Sequence, residues 1–396
     1  MSPSLAPPMI EHLTLEGFLS FGPGPHPLAL RPLNVLIGPN SAGKSNLVEA
    51  FSVLRAVPGD LPRPIREGGG VKDWLWRGES AATRASITLQ VAKDAIASKE
   101  ALRYQLTFGV QGDAFVVLDE RLENATTRAG QAKPYFYFGY ENGRPMLNVN
   151  SERRELRRED IDITQSILSQ RRDPDTYPEI TALAAELTKI RVYRNWIFGP
   201  DAPVRASCSA GVRTDTLSED FDNLPARLAV LRRDPRVKRE LLRYLVDLSP
   251  GFEDFEIVPE GGRLQLYVGE GTHSTPARRL SDGTLRFLCL LAILLDPAPP
   301  PVIVIEEPEL GLHPDTLPAI RDLLLDASTR TQLIVTTHST ILVDSFTEHP
   351  EAILTCDKVQ GATQIARLDP AQISGWLQHG SLGQLWVSGH LGGRRW

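Results

Sequence analysis

Apolar and polar positions alternate with a period of two through much of the first 150 residues. Ile10 to Phe18 reads as a strand, and Leu33-Asn34-Val35-Leu36-Ile37 reads as a short buried strand running into Gly38. Leu47, Val48, Phe51 and Leu54 then recur at helical spacing, and the Pro/Gly-rich stretch from Pro58 to Gly70 reads as loop. Strand patterns follow at Ile87 to Val91, Tyr104 to Val110 and Phe115 to Leu118. Tyr135 to Tyr140 and Met146 to Val149 flank a hairpin turn at Glu141-Asn142-Gly143-Arg144. Ser151 to Ile190 turns charged and helical, Val192 to Phe198 reads as a strand, and Leu224 to Leu248 as helix interrupted at Asp234-Pro235. Phe255 to Val258 and Leu264 to Val268 surround a hairpin turn at Glu260-Gly261-Gly262. From Leu280 onward helix and strand alternate: helix to Leu295, strand Val302 to Ile305, helix Thr316 to Ser328, strand Leu333 to Thr337. That alternation predicts βα units on a largely parallel sheet, an α/β fold.

Four motifs sit on this pattern. Gly38-Pro39-Asn40-Ser41-Ala42-Gly43-Lys44-Ser45 matches G-x-x-x-x-G-K-[ST] between an apolar strand and a helix. In that setting the glycines let backbone N–H groups face phosphates, Lys44 neutralises the outer phosphates, and the Ser45 hydroxyl can ligate Mg²⁺. Val302-Ile303-Val304-Ile305-Glu306-Glu307 ends a buried strand in paired carboxylates. Glu306 can hold Mg²⁺ and Glu307 can orient and deprotonate a water, although many strands end in acids. Ser281 caps an apolar helix in Leu280-Ser281-Asp282-Gly283-Thr284-Leu285-Arg286-Phe287, where its hydroxyl and the first N–H groups suit a phosphate; alone, an ordinary capped helix explains it. Leu333 to Thr337 delivers His338 at a strand end, one βα unit beyond the acids, within reach of a γ-phosphate.

Composition narrows the class. Apolar content of 41% and charged content of 23% over 396 residues suit a soluble globular chain able to bury a large core. A net charge of −6 does not advertise nucleic-acid binding, yet a local basic face can sit on an acidic protein. Cys208, Cys289 and Cys356 are odd in number and widely spaced, fitting a reducing cytoplasm better than a disulfide framework or zinc site. No charged leader with an apolar stretch opens the chain, and Phe287 to Leu295 is too short to span a bilayer, so a cytoplasmic protein without a membrane partner is expected.

Read in order, these motifs resemble the ATP-binding-cassette head of RecF/SMC-type ATPases. More narrowly they resemble the stand-alone AAA-type ATPases allied to the OLD (overcoming lysogenization defect) family. The residues carrying the resemblance are Gly38 to Asn46, Asn223-Leu224-Pro225, Leu280 to Phe287, Glu306 to Pro314, Thr336 to Ser339, and an ending from Leu382 to Trp386 and Leu391 to Trp396. The resemblance implies a P-loop NTPase with an ATP site over Gly38, Pro39, Asn40, Ser41, Ala42, Gly43, Lys44, Ser45 and Asn46. It implies Mg²⁺ at Ser45 and Glu306, a catalytic base at Glu307 and a switch histidine at His338. Ser281, Asp282 and Gly283 would meet the γ-phosphate of ATP held by a second protomer, giving an ATP-dependent homodimer with Leu310 to Pro314 at its interface. The organisation expected is an N-terminal ATPase lobe (1–120), an inserted mixed β and helical region (121–250) and a C-terminal ATPase lobe (251–396). Glu306 stands where many relatives have Asp, and Gln90 and Gln105 are the candidates for a glutamine loop. Phe18 and Phe21 are candidates for adenine stacking or for the core.

Rival functions separate on spacing. A transporter subunit keeps its signature much closer to the phosphate loop than Ser281 is to Ser45. An OLD-type nuclease carries a Toprim domain after the histidine, for which His338 to Trp396 is too short. The resemblance points to DNA-related work, repair or anti-phage defence, with regulation of a partner effector protein as the alternative. Nucleic-acid contact would rest on Arg153-Arg154, Arg157-Arg158, Arg171-Arg172 and on Arg227, Arg232-Arg233, Arg236, Lys238-Arg239 and Arg243. Interleaved Glu152, Glu155, Glu159 and Asp160 make a solvated helix face an equal reading of the first group.

Overall fold

A computed structural model of the chain describes residues 7–391 except 79–80, 97, 99, 128–129, 142, 150–151, 249–250 and 379. Asn142 of the first hairpin turn, Ser151 and the terminal Gly392 to Trp396 lie outside the described residues. The chain divides into two compact units, the first made of residues 7–190, 351–369 and 389–391, the second of residues 191–350 and 370–388.

The first unit opens with strands β1 (Ile10–Glu16), β2 (His26–Ala29) and β3 (Leu33–Ile37) and helices α1 (Lys44–Ala56) and α2 (Pro62–Glu67). Strands β4 (Arg84–Val91), β5 (Leu102–Gln111), β6 (Ala114–Asn124), β7 (Phe136–Glu141), β8 (Arg144–Val149) and β9 (Glu152–Glu155) follow, then helices α3 (Ile167–Gln170) and α4 (Pro178–Thr188). The second unit contains β10 (Arg191–Tyr193), β11 (Cys208–Ser209), α5 (Leu224–Leu231), α6 (Pro235–Leu248), β12 (Phe252–Glu260), β13 (Arg263–Glu270) and β14 (His273–Pro276). It continues with α7 (Asp282–Leu294), β15 (Val302–Glu306), α8 (Leu317–Ala327), β16 (Gln332–Thr336) and α9 (Thr340–Ser345). The chain then gives β17 (Ile353–Val359) and β18 (Ala362–Arg367) back to the first unit and ends with α10 (Pro370–Leu377) and α11 (Leu382–Val387) in the second.

In the first unit an eight-stranded sheet runs β2-β1-β4-β5-β6-β7-β8-β9, antiparallel throughout. Its strands carry the period-two pattern: in β4, Ala85, Ile87, Leu89 and Val91 are buried and the residues between them are not. Strand β3 is buried along its whole length and pairs in parallel with β17, which turns back antiparallel into β18. In the second unit β10, β15 and β16 form a parallel ladder whose register sets Glu306 beside Thr336. Helix α7 packs against α5 and α8 and is buried at every residue from Leu285 to Leu294.

Three expectations are corrected. The loop from Pro58 to Gly70 contains α2, started by Pro62, whose fixed φ suits a first helical turn. The charged stretch after Ser151 is not helical at its start: Arg153 and Arg154 lie on β9, a wholly exposed edge strand paired with β8. Charges on an edge discourage pairing with other chains, which explains a helix-like composition on a strand. The strand expected over Val192 to Phe198 stops at Tyr193. Among the described residues no helix is long and apolar enough to cross a membrane.

One buried carboxyl in the first unit has a measurable consequence. Glu120 accepts hydrogen bonds from Tyr104 Oη at 2.7 Å, from the Ser166 hydroxyl and from the Ile167 N–H at 2.8 Å. Burial outweighs these donors and pushes its pKa up to about 7. The folded chain therefore holds a proton that the unfolded chain releases near its ordinary 4.5, so this contribution is complete below that pH and is lost as pH rises through 7. A shift of this size corresponds to roughly 3 kcal/mol. Between pH 5 and 8 the wild type should lose thermal stability relative to Glu120→Gln, whose neutral amide mimics the protonated acid. Parallel melting curves would refute this.

Candidate active site

The phosphate loop is built in the first unit. It leaves the buried end of β3 at Gly38, whose φ of +150° and surroundings admit only glycine: an added Cβ would sit 2.3 Å from the Cys356 carbonyl oxygen. At Gly43, with φ +106°, a Cβ would lie 2.1 Å from Thr363 Oγ1. Ser41 also takes a left-handed conformation, φ +63°. Such alternating backbone forms the concave run of N–H groups that suits an anion. Lys44 arches over the loop, its Nζ donating to the Gly38 and Pro39 carbonyls at 2.8 and 3.0 Å. Thr363 Oγ1 donates to the Ala42 carbonyl at 2.8 Å, Thr363 and Ser20 hydroxyls meet at 2.6 Å, and Asn46 Nδ2 donates to Ser20 Oγ at 2.6 Å. Asn40, Ser41 and Ser45 face solvent. Thr363 and Ser20 lie far from the motif in sequence and carry no local signal; only the fold reveals them.

The acids and the histidine are gathered in the second unit. Glu306 ends β15 and its carbonyl accepts Trp196 Nε1–H at 2.6 Å. Glu307 adopts φ +50°, unusual for a residue with a side chain, with its N–H on the Thr336 carbonyl at 2.9 Å and its carbonyl accepting from Arg286 Nη1 at 3.3 Å. Its backbone is thus fixed by neighbours, and its carboxylate stands 3.5 Å from His338 Nε2. Glu309 was part of the sequence pattern without a role; the structure supplies one. Its Oε1 accepts from Thr337 Oγ1 at 2.6 Å and from the N–H groups of His338 and Ser339 at 2.9 and 3.2 Å, which fixes where His338 points. Burial raises the pKa of Glu309 against these donors, and its Oε2 is buried without a partner.

Ser281 is the N-cap of α7, accepting from the Thr284 N–H at 3.0 Å, and remains exposed with Asp282. Arg205 clasps the segment before it: Nη1 donates to the Leu280 carbonyl at 2.7 Å, Nε to the Phe198 carbonyl at 2.8 Å, and Nη2 pairs with Asp282. A Cβ on Gly283 would lie 3.1 Å from the Gly311 carbonyl, so this helix start abuts the segment Leu310 to Pro314, where Leu310 is exposed. The Arg286 guanidinium packs on the Trp196 and Phe198 rings at 4.7 and 5.3 Å, and burial lowers its pKa. Arg286 lies within the signature motif on α7, where no role of its own was expected for it, and Arg205 and Trp196 lie outside every motif, so no local pattern points to their contacts.

Several candidates resolve into packing. Phe18 is fully buried edge-on to Trp74 and Phe108, and Phe21 is buried as well, so both belong to the core. Gln90 and Gln105 lie on β4 and β5, and Gln90 Nε2 is engaged by Glu11 at 2.7 Å. Of the second arginine group, Arg227 is buried and paired with Asp296, Arg232 and Lys238 reach Asp254, and Arg243 pairs with Glu240. Arg233, Arg236 and Arg239 are exposed.

A family model described as "AAA domain, putative AbiEii toxin, Type IV TA system" matches residues 33–344, and the chain belongs to this family. Among solved structures, an Smc head bound to the C-terminal winged-helix domain of ScpA is similar at 16% identity and a TM-score of 0.59, covering 92% of this chain and 99% of that one. A Pyrococcus furiosus Smc head with an extended coiled coil, bound to the C-terminal domain of ScpA, gives 15% identity and a TM-score of 0.56 over 94% and 99% of the two chains. The chromosome partition protein Smc of Mycobacterium tuberculosis is 35% identical over 86 residues, 21% of this chain and only 7% of that protein's length. The fold is therefore that of a P-loop NTPase, an ABC-type ATPase head of RecF/SMC kind.

Proposed function

We propose that the chain binds Mg²⁺-ATP and hydrolyses it as an ATP-dependent dimerisation switch. The observation that carries this reading is Glu307, held in a strained backbone with its carboxylate 3.5 Å from His338, in a chain that also bears a glycine-dictated phosphate loop. Gly38 to Asn46 would cradle the phosphates with Lys44 as counter-charge. The Ser45 hydroxyl and the Glu306 carboxylate are hard oxygen donors of the kind Mg²⁺ takes. Among the described residues no three His, Cys, Asp or Glu side chains cluster as a metal cage, so phosphate and water would supply the remaining ligands. Glu307 would accept the proton of the attacking water as its oxygen bonds to the γ-phosphorus and the bond to the bridging oxygen breaks, releasing ADP and phosphate. His338 would hydrogen-bond the γ-phosphate. Ser281, Asp282 and Gly283 would serve ATP bound to a second copy, with exposed Leu310 at the same contact.

The setting proposed is the cytoplasm, in DNA-related work such as repair or anti-phage defence, the last in keeping with the toxin–antitoxin wording of the family description. Free, buried Cys208, Cys289 and Cys356 suit a reducing compartment. A second reading, control of a partner effector without direct nucleic-acid contact, draws on the Smc heads seen bound to ScpA. Titration calorimetry tests the core claim. Mg²⁺-ATP should bind the wild type, and Lys44→Ala should weaken binding by at least about tenfold, the loss of one charge-assisted contact. Absence of binding to the wild type, or equal binding to both, would remove the proposal.

A further inference from the structure

The ATPase reading leaves unused a cavity of about 690 Å³ on the β6–β9 part of the large sheet. Small-molecule sites occupy roughly 300–1,000 Å³, so this space is large enough to be one. Strand register builds it. Leu122 pairs with Phe138 but Glu123 pairs with Phe136, leaving Tyr137 as an extra residue in β7. This bulge turns Phe136 onto the face that carries Arg121 and Glu123, where regular alternation would have sent it to the other side. On that face Gly139 has no side chain, and Arg121 Cγ lies 3.4 Å from where its Cβ would stand. The Arg121 and Arg153 guanidiniums come within 5.5 and 5.3 Å of the Phe136 ring centroid. Arg153 is the register partner of Asn148, whose Oδ1 is buried without a hydrogen-bond partner. Lys133 and Tyr135, from the segment before β7, also line it.

The charge is unbalanced in one direction. Arg103 and Arg121 share Glu123, and Arg153 pairs with Glu141 at 3.5 Å. Lys133 adds a cation, so of the residues that line the cavity Arg121, Lys133 and Arg153 are cationic and Glu141 alone is anionic. Flat aromatic and guanidinium surfaces, surplus positive charge and a buried acceptor lacking a donor describe one ligand chemistry. We propose that this cavity binds a nucleobase bearing an exocyclic amine together with its adjoining phosphate. The base stacks on Tyr135 and on the Arg121 guanidinium that lies over Phe136, its amine donates to Asn148 Oδ1, and Lys133 and Arg153 meet the phosphate. The phosphate loop is held by Ser20 at the β1 end of this sheet, and β7 lies four strands from β1, roughly 19 Å at the usual spacing. The inference therefore stands apart from the ATP site and does not depend on it.

Fluorescence anisotropy of fluorescein-labelled hexadeoxycytidylate and hexadeoxythymidylate, with the full chain at low salt, tests the proposal. Cytosine has the exocyclic amine and thymine does not, so the first should bind more tightly. Asn148→Leu should abolish that preference. The exposed pair Lys133→Glu/Arg153→Glu should weaken both hexamers by about tenfold or more, while Lys44→Ala leaves them unchanged. Displacement of the hexamer by cytidine 5′-monophosphate would assign the site to free nucleotides, and resistance to it would assign the site to strands. Failure of both hexamers and of the monophosphate to bind overturns the proposal. So does undiminished hexamer binding by the double variant, or a cytosine preference that survives Asn148→Leu in a variant melting like the wild type.

Discussion

Glu307→Gln should cut the ATP hydrolysis rate by about a thousandfold while leaving ATP affinity within a few-fold of wild type. A positioned general base contributes roughly 10²- to 10⁴-fold, and glutamine keeps the shape of the side chain while losing the ability to take a proton. The geometry makes this a clean substitution. Glu307 is fixed through its backbone, by the Thr336 carbonyl and by Arg286, and its carboxylate carries no part of that restraint. Folding should therefore be unaffected, and phosphate release measured at saturating Mg²⁺-ATP reads the chemical step. Because hydrolysis is what would release the two copies, the variant should also accumulate as an ATP-bound dimer, seen as a doubled mass by light scattering. A Glu307→Gln chain that turns over ATP like the wild type would end the assignment of this residue as base.

Ser281→Arg should abolish the ATP-dependent dimer and, with it, nearly all hydrolysis, while the chain still binds ATP. Ser281 is exposed at the N-cap of α7, two residues before Gly283, which abuts Gly311, and a bulky cation there would occupy the space proposed for the partner's phosphate. The serine also caps its helix, and loss of a cap costs about 1 kcal/mol, so the arginine variant alone would confound packing with contact. Ser281→Gly separates the two, since glycine is a tolerated cap and adds no bulk. In a Glu307→Gln background the glycine variant should keep the dimer and the arginine variant should be monomeric with ATP. A monomeric wild type that hydrolyses ATP, or a fully active Ser281→Arg chain, would place the whole reaction in one copy.

The fold was legible where local pattern and burial coincide. β3, β15 and β16 are continuous apolar runs because both of their faces are covered, and β4 alternates because one face is not. The interruption at Asp234-Pro235 falls between α5 and α6, as proline's missing N–H demands. β9 was misread because charged residues on an exposed edge strand look like a solvated helix, and composition alone cannot tell one from the other.

By itself the sequence determined the phosphate loop, since glycine, lysine and serine at that spacing after a buried strand satisfy a chemical requirement within one local turn. It also determined that Glu306, Glu307, Ser281 and His338 stand at the ends of strands and helices, because element ends follow from the apolar runs that precede them. Tertiary structure decided what holds those residues. The Glu309 cradle under His338, the Arg205 clasp on Asp282, the Cys356 carbonyl that excludes any side chain at Gly38, and the bulge that aims Phe136 all join residues distant along the chain. Contacts of that kind depend on register and on the path of the backbone through space, and no local periodicity encodes them.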